Sequence, residues 1–144
     1  MNLAQFQNKP SSEAGLEALE RAIQHARHAV AIELHPFGLT TLGKVLLAQM
    51  AVPGASLEAV YGEAFEKLSQ AIDLEESWSR SAIQPFMSLF SGTVRFLERR
   101  GVLTASQRNK LEVLTRLAED RLGRDPQVRE QVAVLRRTLR DSLQ

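Results

Sequence analysis

The segment LTTLGKVLLAQ at residues 39–49 carries the clearest indication of the fold. Its large apolar residues return at intervals of three and four, which is the spacing of one face of an α-helix, and the pattern continues to Met50. Pro53 and Gly54 follow, a pair that marks a turn. We therefore predict a helix that begins near Phe37 and ends before this turn.

The same periodicity predicts five further helices on either side of this segment. The helix before it extends to about Leu34, where Pro36 stops it. No stretch alternates apolar and polar residues between tight turns, so we expect no sheet. The N-terminal caps are Ser11 or Ser12, Ser56, Thr104 in a capping box with Gln107, and Asp125 before Pro126. The sequence predicts an all-α fold of about six helices, arranged as antiparallel neighbouring hairpins.

The fourth helix, at about residues 78–100, contains a proline. Because Pro85 disrupts a helix interior, the helix either begins near Gln84 or kinks. At its other end Arg100 precedes Gly101, for which we expect the left-handed cap conformation. The positions expected to face inward are Ile83, Phe86, Met87, Phe90, Val94 and Leu97.

Two helix ends repeat one another. AVAIELHP at residues 29–36 and LSQAIDLEE at residues 68–76 align with an offset of 40 residues. With LTTLGKVLLAQ, they make residues 14–76 resemble the tetratricopeptide repeat family. In that family the first helix of each pair carries a leucine-glycine pair. The second carries spaced alanines around a large residue, with a proline at the turn, and Pro36 resembles that proline.

The best-matching repeat covers residues 37–76. A partial repeat before it keeps the alanine spacing at Ala22, Ala26 and Ala29, although Ala26 replaces the large residue. Residues 78–122 lack a leucine-glycine pair and fit only as a degenerate helix pair. The matching positions are Leu42, Gly43 and Leu46 in the first helix and Ala64, Leu68 and Ala71 in the second.

The resemblance implies a right-handed solenoid fragment whose concave face binds a peptide or a partner helix. It implies a non-catalytic protein–protein interaction module or scaffold with a protein or peptide partner. The length favours a single helical domain at residues 13–144, preceded by an N-terminal arm at residues 1–12. The implied partner-binding residues, on the first helix of each pair, are Thr40, Thr41, Lys44, Gln49, Arg80 and Gln84.

The last helix, at residues 125–144, has two possible roles. Its apolar residues follow one narrow stripe, with arginines on the opposite face. The helix can cap a repeat stack, or its stripe can pair with a second copy as an oligomer seam. A self-associating helical bundle is therefore the alternative function. The seam residues are Val128, Val132, Leu135 and Leu139.

The charges are unevenly distributed along the 144 residues, whose net charge is only +1. Residues 1–76 hold five basic and ten acidic side chains, whereas residues 77–144 hold thirteen basic and seven acidic ones. A basic nucleic-acid-binding adaptor is a third alternative. However, acidic residues interleave with the C-terminal arginines, and no aromatic residue follows Phe96 to stack on bases. We therefore do not expect a nucleic-acid partner.

No motif points to catalysis, a cofactor or a membrane. The sequence lacks cysteine, a GxSxG elbow, a phosphate-binding glycine loop and HExxH. His25 and His28 share a helix face and His35 follows, but no third ligand accompanies them. We expect no enzyme, no cofactor and no metal site. Without a signal sequence or a long apolar run, we expect a cytoplasmic protein that does not span a membrane.

Overall fold

The computed structural model describes residues 13–75 and 82–142. These two ranges contain six α-helices and no strand, which confirms the predicted all-α fold. The N-terminal arm, Ser11, Ser12 and Trp78 lie outside the described residues. The helices are α1 (Glu13–Ile32), α2 (Pro36–Gln49), α3 (Leu57–Asp73), α4 (Ile83–Glu98), α5 (Ala105–Leu122) and α6 (Pro126–Ser142).

The chain forms two compact units, Met1–Leu74 and Glu75–Gln144. The first contains α1, α2 and α3, and the second contains α4, α5 and α6. The single domain and the solenoid expected from the sequence stay predictions.

Three helix starts have the caps that the sequence predicts. The Ser56 hydroxyl accepts the N–H three residues ahead at 3.4 Å. Thr104 and Gln107 form the reciprocal capping box, with hydrogen bonds of 3.0 and 2.9 Å. A carboxylate oxygen of Asp125 accepts the Gln127 N–H at 2.8 Å. Each cap satisfies a donor that has no acceptor within its own helix.

Two prolines lie in first turns, where a missing N–H removes no helical hydrogen bond. Pro36 is the first residue of α2, and Pro85 is the third residue of α4. The start near Gln84 is therefore confirmed. Before α2, His35 takes the N-cap position, and its Nδ1 accepts the Phe37 N–H at 3.1 Å.

The end of α4 differs by one residue from the prediction. The left-handed residue is Arg100, with φ of 66°, and not Gly101. The Gly101 N–H donates to the Phe96 carbonyl at 2.9 Å and the Arg100 N–H to the Leu97 carbonyl at 3.0 Å, which is a Schellman motif. Gly101 meets a different requirement, because a Cβ there would lie 2.5 Å from atoms of the Phe96 ring.

In the first unit, α2 packs against both α1 and α3. Gly43 of α2 lies directly against Leu68 of α3. A Cβ at Gly43 would stand 2.6 Å from Leu68 Cδ2 and closer still to Cγ. The exposed Ala29 departs from the pattern of buried alanines in α1. All six residues of the best-matching repeat that carry the resemblance are buried, namely Leu42, Gly43, Leu46, Ala64, Leu68 and Ala71.

In the second unit, α4 packs most extensively against α6 and less extensively against α5. Two neighbours bury a wider face of α4 than the one stripe that the sequence predicts. Leu89, Thr93 and Phe96 are buried, whereas Met87 and Val94 are only half-buried. The prediction was wrong for Met87 and Val94, because the buried face is centred further round the helix.

Candidate interaction surface

The helix α2 reaches solvent along one narrow strip, apart from its two ends. Because α1 and α3 both pack against it, most of its other side chains are buried. The partly exposed residues succeed one another at intervals of four, three and four, so they share one face of the helix. We call them the α2 strip: Phe37, Thr41, Lys44 and Ala48.

Three large apolar side chains stand in solvent where the α2 strip begins. Ile32 is 73% exposed, Leu34 is 51% exposed and Phe37 is 76% exposed. They fall within six consecutive residues across the link between α1 and α2. Single exposed apolar residues are ordinary, whereas several large ones close together are typical of interaction surfaces. We call these three residues the apolar cluster.

Backbone hydrogen bonds hold both sides of the apolar cluster. The Glu33 N–H donates to the Ala29 carbonyl at 3.1 Å, which continues the last turn of α1. On the other side His35 accepts the Phe37 N–H through its ring and the Leu39 N–H through its carbonyl, both at 3.1 Å. Because the backbone is already fixed, the link loses less conformational entropy when a partner binds. The cluster is thus presented on an ordered link.

An ion pair connects α1 and α3, the two helices that pack against α2. One guanidinium nitrogen of Arg27 contacts both carboxylate oxygens of Glu63, at 2.8 and 3.0 Å. Both side chains are partly exposed, so the pair contributes only about 0.2–1 kcal/mol. It helps to fix the frame around the α2 strip, and apolar burial supplies most of the stability.

The structure brings two of the predicted partner-binding residues onto the α2 strip, Thr41 and Lys44. Thr40 is only 6% exposed, and its hydroxyl donates to the Pro36 carbonyl at 2.7 Å. The expectation that Thr40 lines an open face was therefore wrong, because α2 packs between α1 and α3 and this side of it is buried. Gln49 is half-buried and lies well round the helix from the strip.

The remaining two predicted partner-binding residues belong to other parts of the chain. Gln84 is exposed at the start of α4, in the second unit, and Arg80 lies outside the described residues. Sequence reasoning missed the apolar cluster because it assigned apolar residues to helix faces. The available signal was the link itself, since IELHPF holds more large apolar residues than a solvated turn needs.

The predicted oligomer seam forms part of the core of one chain. Val128, Val132 and Leu135 are buried, and Leu139 is half-buried. α6 packs against α4 and α5, so these side chains are covered without a second copy. The sequence identified the buried stripe correctly but could not say which helix covers it. Self-association through this stripe would require α6 to leave its place.

The described residues include no group of three or more histidine, aspartate or glutamate side chains placed to hold a metal ion. His25 and His28 are both exposed on α1, and His35 is engaged in the α2 cap. Across the described helices, none combines the length and apolar character needed to cross a bilayer.

The chain has no match among protein-family models, curated proteins or solved structures. The tetratricopeptide likeness therefore depends on the motif residues alone. The α2 strip with the apolar cluster is the surface of the first unit that joins exposed large apolar side chains to a partly exposed helix face.

Proposed function

We propose that this chain is a non-catalytic protein–protein interaction module. Its partner is an amphipathic helix or an apolar peptide that covers the apolar cluster and extends along the α2 strip. One observation carries the proposal: Ile32, Leu34 and Phe37 are exposed together on a hydrogen-bonded link. Aromatic side chains are frequent anchors in protein interfaces, and Phe37 takes that role.

The energetics favour a partner that also contacts the α2 strip. Burying a large apolar side chain completely contributes about 1.5–3 kcal/mol. The three residues are already partly covered, so together they offer only several kcal/mol. Against this gain, association costs about 4–15 kcal/mol because the two molecules lose translational and rotational freedom. The partner must therefore contact Thr41, Lys44 and Ala48 as well, with micromolar affinity as the expected range.

The packing of the first unit supports a repeat-like role for α2. α2 packs against α1 and α3, the Arg27–Glu63 pair links those two helices, and the Gly43–Leu68 contact allows close approach. Helical repeats use such a rigid frame to present one helix face to a peptide. We propose, on the same basis, that the chain acts as a scaffold and that the stack of helix pairs continues beyond the first unit.

The test is a selection from a displayed library of linear and helical peptides against the whole chain. Selected peptides are then measured on the variant Phe37→Asp, which places a charge in the apolar cluster. We expect affinity to fall by about tenfold to a hundredfold, because an unpaired carboxylate would be buried. Val113→Asp is the matched control, since Val113 is an exposed apolar residue of the second unit. Equal affinity for the Phe37→Asp variant would contradict the proposal.

Self-association through the same apolar cluster is the second candidate function. The exposure of Phe37 favours it, because an apolar patch can pair with its own copy across a two-fold axis. Light scattering across a range of protein concentrations decides between the two. A dimer that Phe37→Asp dissociates supports self-association, whereas a monomer at all concentrations leaves a different protein as the partner.

A further inference from the structure

The charges of the second unit are separated more strongly in the fold than in the sequence. Residues 82–142 hold eleven arginines and one lysine against seven acidic residues. Seven of these twelve basic residues lie around the α4–α5 link or in the last turns of α6. One of the seven, Arg136, is paired with Glu119 at 2.7 Å, and the other six form the group that follows. We call this group the arginine end: Arg95, Arg99, Arg100, Arg108, Arg137 and Arg140.

The helix lengths place these residues at one end of the unit. α5 has 18 residues and spans about 27 Å, so the α4–α5 link and the α5–α6 turn lie at opposite ends. α6 starts at the far turn and packs extensively against α4. Because α6 returns along α4, its final turns reach the end where α4 terminates.

Most of the acidic residues lie at the other end. Glu119, Asp120, Asp125 and Glu130 all flank the α5–α6 turn. At physiological ionic strength, charges farther apart than about 8 Å are largely screened from one another. The interleaving that argued against a nucleic-acid partner in the sequence is therefore weaker in the fold, although Glu119 still pairs with Arg136 beside the arginine end.

The acids nearer the arginine end are few. Glu112 contacts Arg116 at 3.0 Å, while Glu98 and Asp141 are exposed beside the group. The basic side chains at this end outnumber these acids.

Most residues of the arginine end form no ion pair within the described part of the chain. Within the described ranges, no acidic side chain pairs with Arg95, Arg100, Arg108, Arg137 or Arg140. Arg95 and Arg140 lie in last helical turns, where a cation gains about 0.3–1 kcal/mol from the helix dipole. The dipole does not explain the other three. These five residues, without Arg99, therefore present guanidinium groups that pair with no acid of the described chain.

We propose that the arginine end binds the phosphodiester backbone of a nucleic-acid duplex. Guanidinium groups match phosphate oxygens with paired hydrogen bonds. A protein partner would need apolar anchors, and Val102 is the one large apolar side chain exposed in the described α4–α5 link. A single strand would need aromatic side chains for stacking, and no aromatic residue follows Phe96. A duplex needs only the cations, so its backbone is read without base specificity.

The test measures the whole chain by fluorescence anisotropy with labelled RNA and DNA duplexes of about 20 base pairs over a series of salt concentrations. The test variant carries Arg95→Gln, Arg100→Gln, Arg137→Gln and Arg140→Gln. The control carries Arg116→Gln, Arg121→Gln, Arg124→Gln and Arg129→Gln, so both variants lose the same charge. We expect the test variant to bind at least about tenfold more weakly and to show a log–log salt slope shallower by about 3–4.

Binding of either duplex with this difference between the variants supports the proposal, and comparison of the two duplexes shows which is preferred. Equal losses in both variants would overturn it, because net charge alone would then explain binding. Competition by polyglutamate as effective as that by duplex would overturn it in favour of an acidic protein. Tighter binding to a single strand, or no binding at about 50 mM salt, would also overturn it. If the fourfold variant unfolds, the pair Arg137→Gln and Arg140→Gln is measured against Arg124→Gln and Arg129→Gln.

Discussion

The absence of a side chain at Gly43 determines how closely α2 approaches α3. Leu68 fills the space that a Cβ would take, and Leu68 itself is fully buried. Buried side chains that are tightly packed have little room to move. The leucine-glycine pair in the sequence thus has a steric cause, and it remains the best-founded part of the family resemblance.

We expect Gly43→Ala to destabilise the chain by up to about 2 kcal/mol. Alanine raises helix propensity by about 1 kcal/mol, but overpacking against Leu68 costs about 1–3 kcal/mol. Gly38→Ala is the control, because a Cβ there would meet only Val30 Cγ2 at an ordinary 3.7 Å. Chemical denaturation of the two variants gives both free energies. A stabilised Gly43→Ala variant would contradict the close packing of α2 on α3.

The end of α4 provides a second prediction at the residue scale. Arg100→Gly should raise the free energy of unfolding by about 1 kcal/mol, because glycine tolerates the left-handed conformation. Gly101→Ala should lower it by about 1–3 kcal/mol through its clash with the Phe96 ring. Arg99→Gly is the control, since Arg99 has a negative φ and should gain nothing. Thermal unfolding ranks all three, and a gain for Arg99→Gly equal to that for Arg100→Gly would refute the assignment.

At the level of elements, sequence signals located the helix starts better than the helix faces. A cap such as Asp125 or Thr104 acts on donors within three residues, so the local sequence contains all that the prediction needs. Which side of α4 is buried depends on where α5 and α6 lie, and that depends on contacts distant in the chain. Phe96 and Leu89 were missed for this reason.

α6 is the element whose role changed most between sequence and structure. We expect Leu135→Ala to lower the free energy of unfolding by about 2–5 kcal/mol, because a cavity opens between α6 and α4. This decrease in the free energy of unfolding should not change when the protein concentration changes tenfold, because Leu135 packs within one chain. Denaturation at two concentrations tests this. A midpoint that rises with concentration for the wild type and not for the variant would restore the oligomer seam.

For the whole molecule, the candidate site was only partly predictable. Thr41 and Lys44 could be predicted from the resemblance to the repeat family, because residue spacing alone determines which side chains share one face of a helix. Thr40 was not, because its burial follows from the packing of α2 between two helices. The apolar cluster was also not predictable. Whether Ile32 and Phe37 are exposed depends on whether another part of the fold packs over them, and the local sequence does not contain that information. Surfaces are set by tertiary structure, whereas caps and stripes are set locally.

We propose that this chain recognises a partner through the apolar cluster and the α2 strip. The most direct measurement is a map of backbone amide chemical shifts during titration with a peptide selected against the chain. We expect the shifted amides to concentrate between Ile32 and Ala48, with few changes in α4, α5 and α6. Shifts concentrated in the second unit, or a selection that yields no binding peptide, would contradict it.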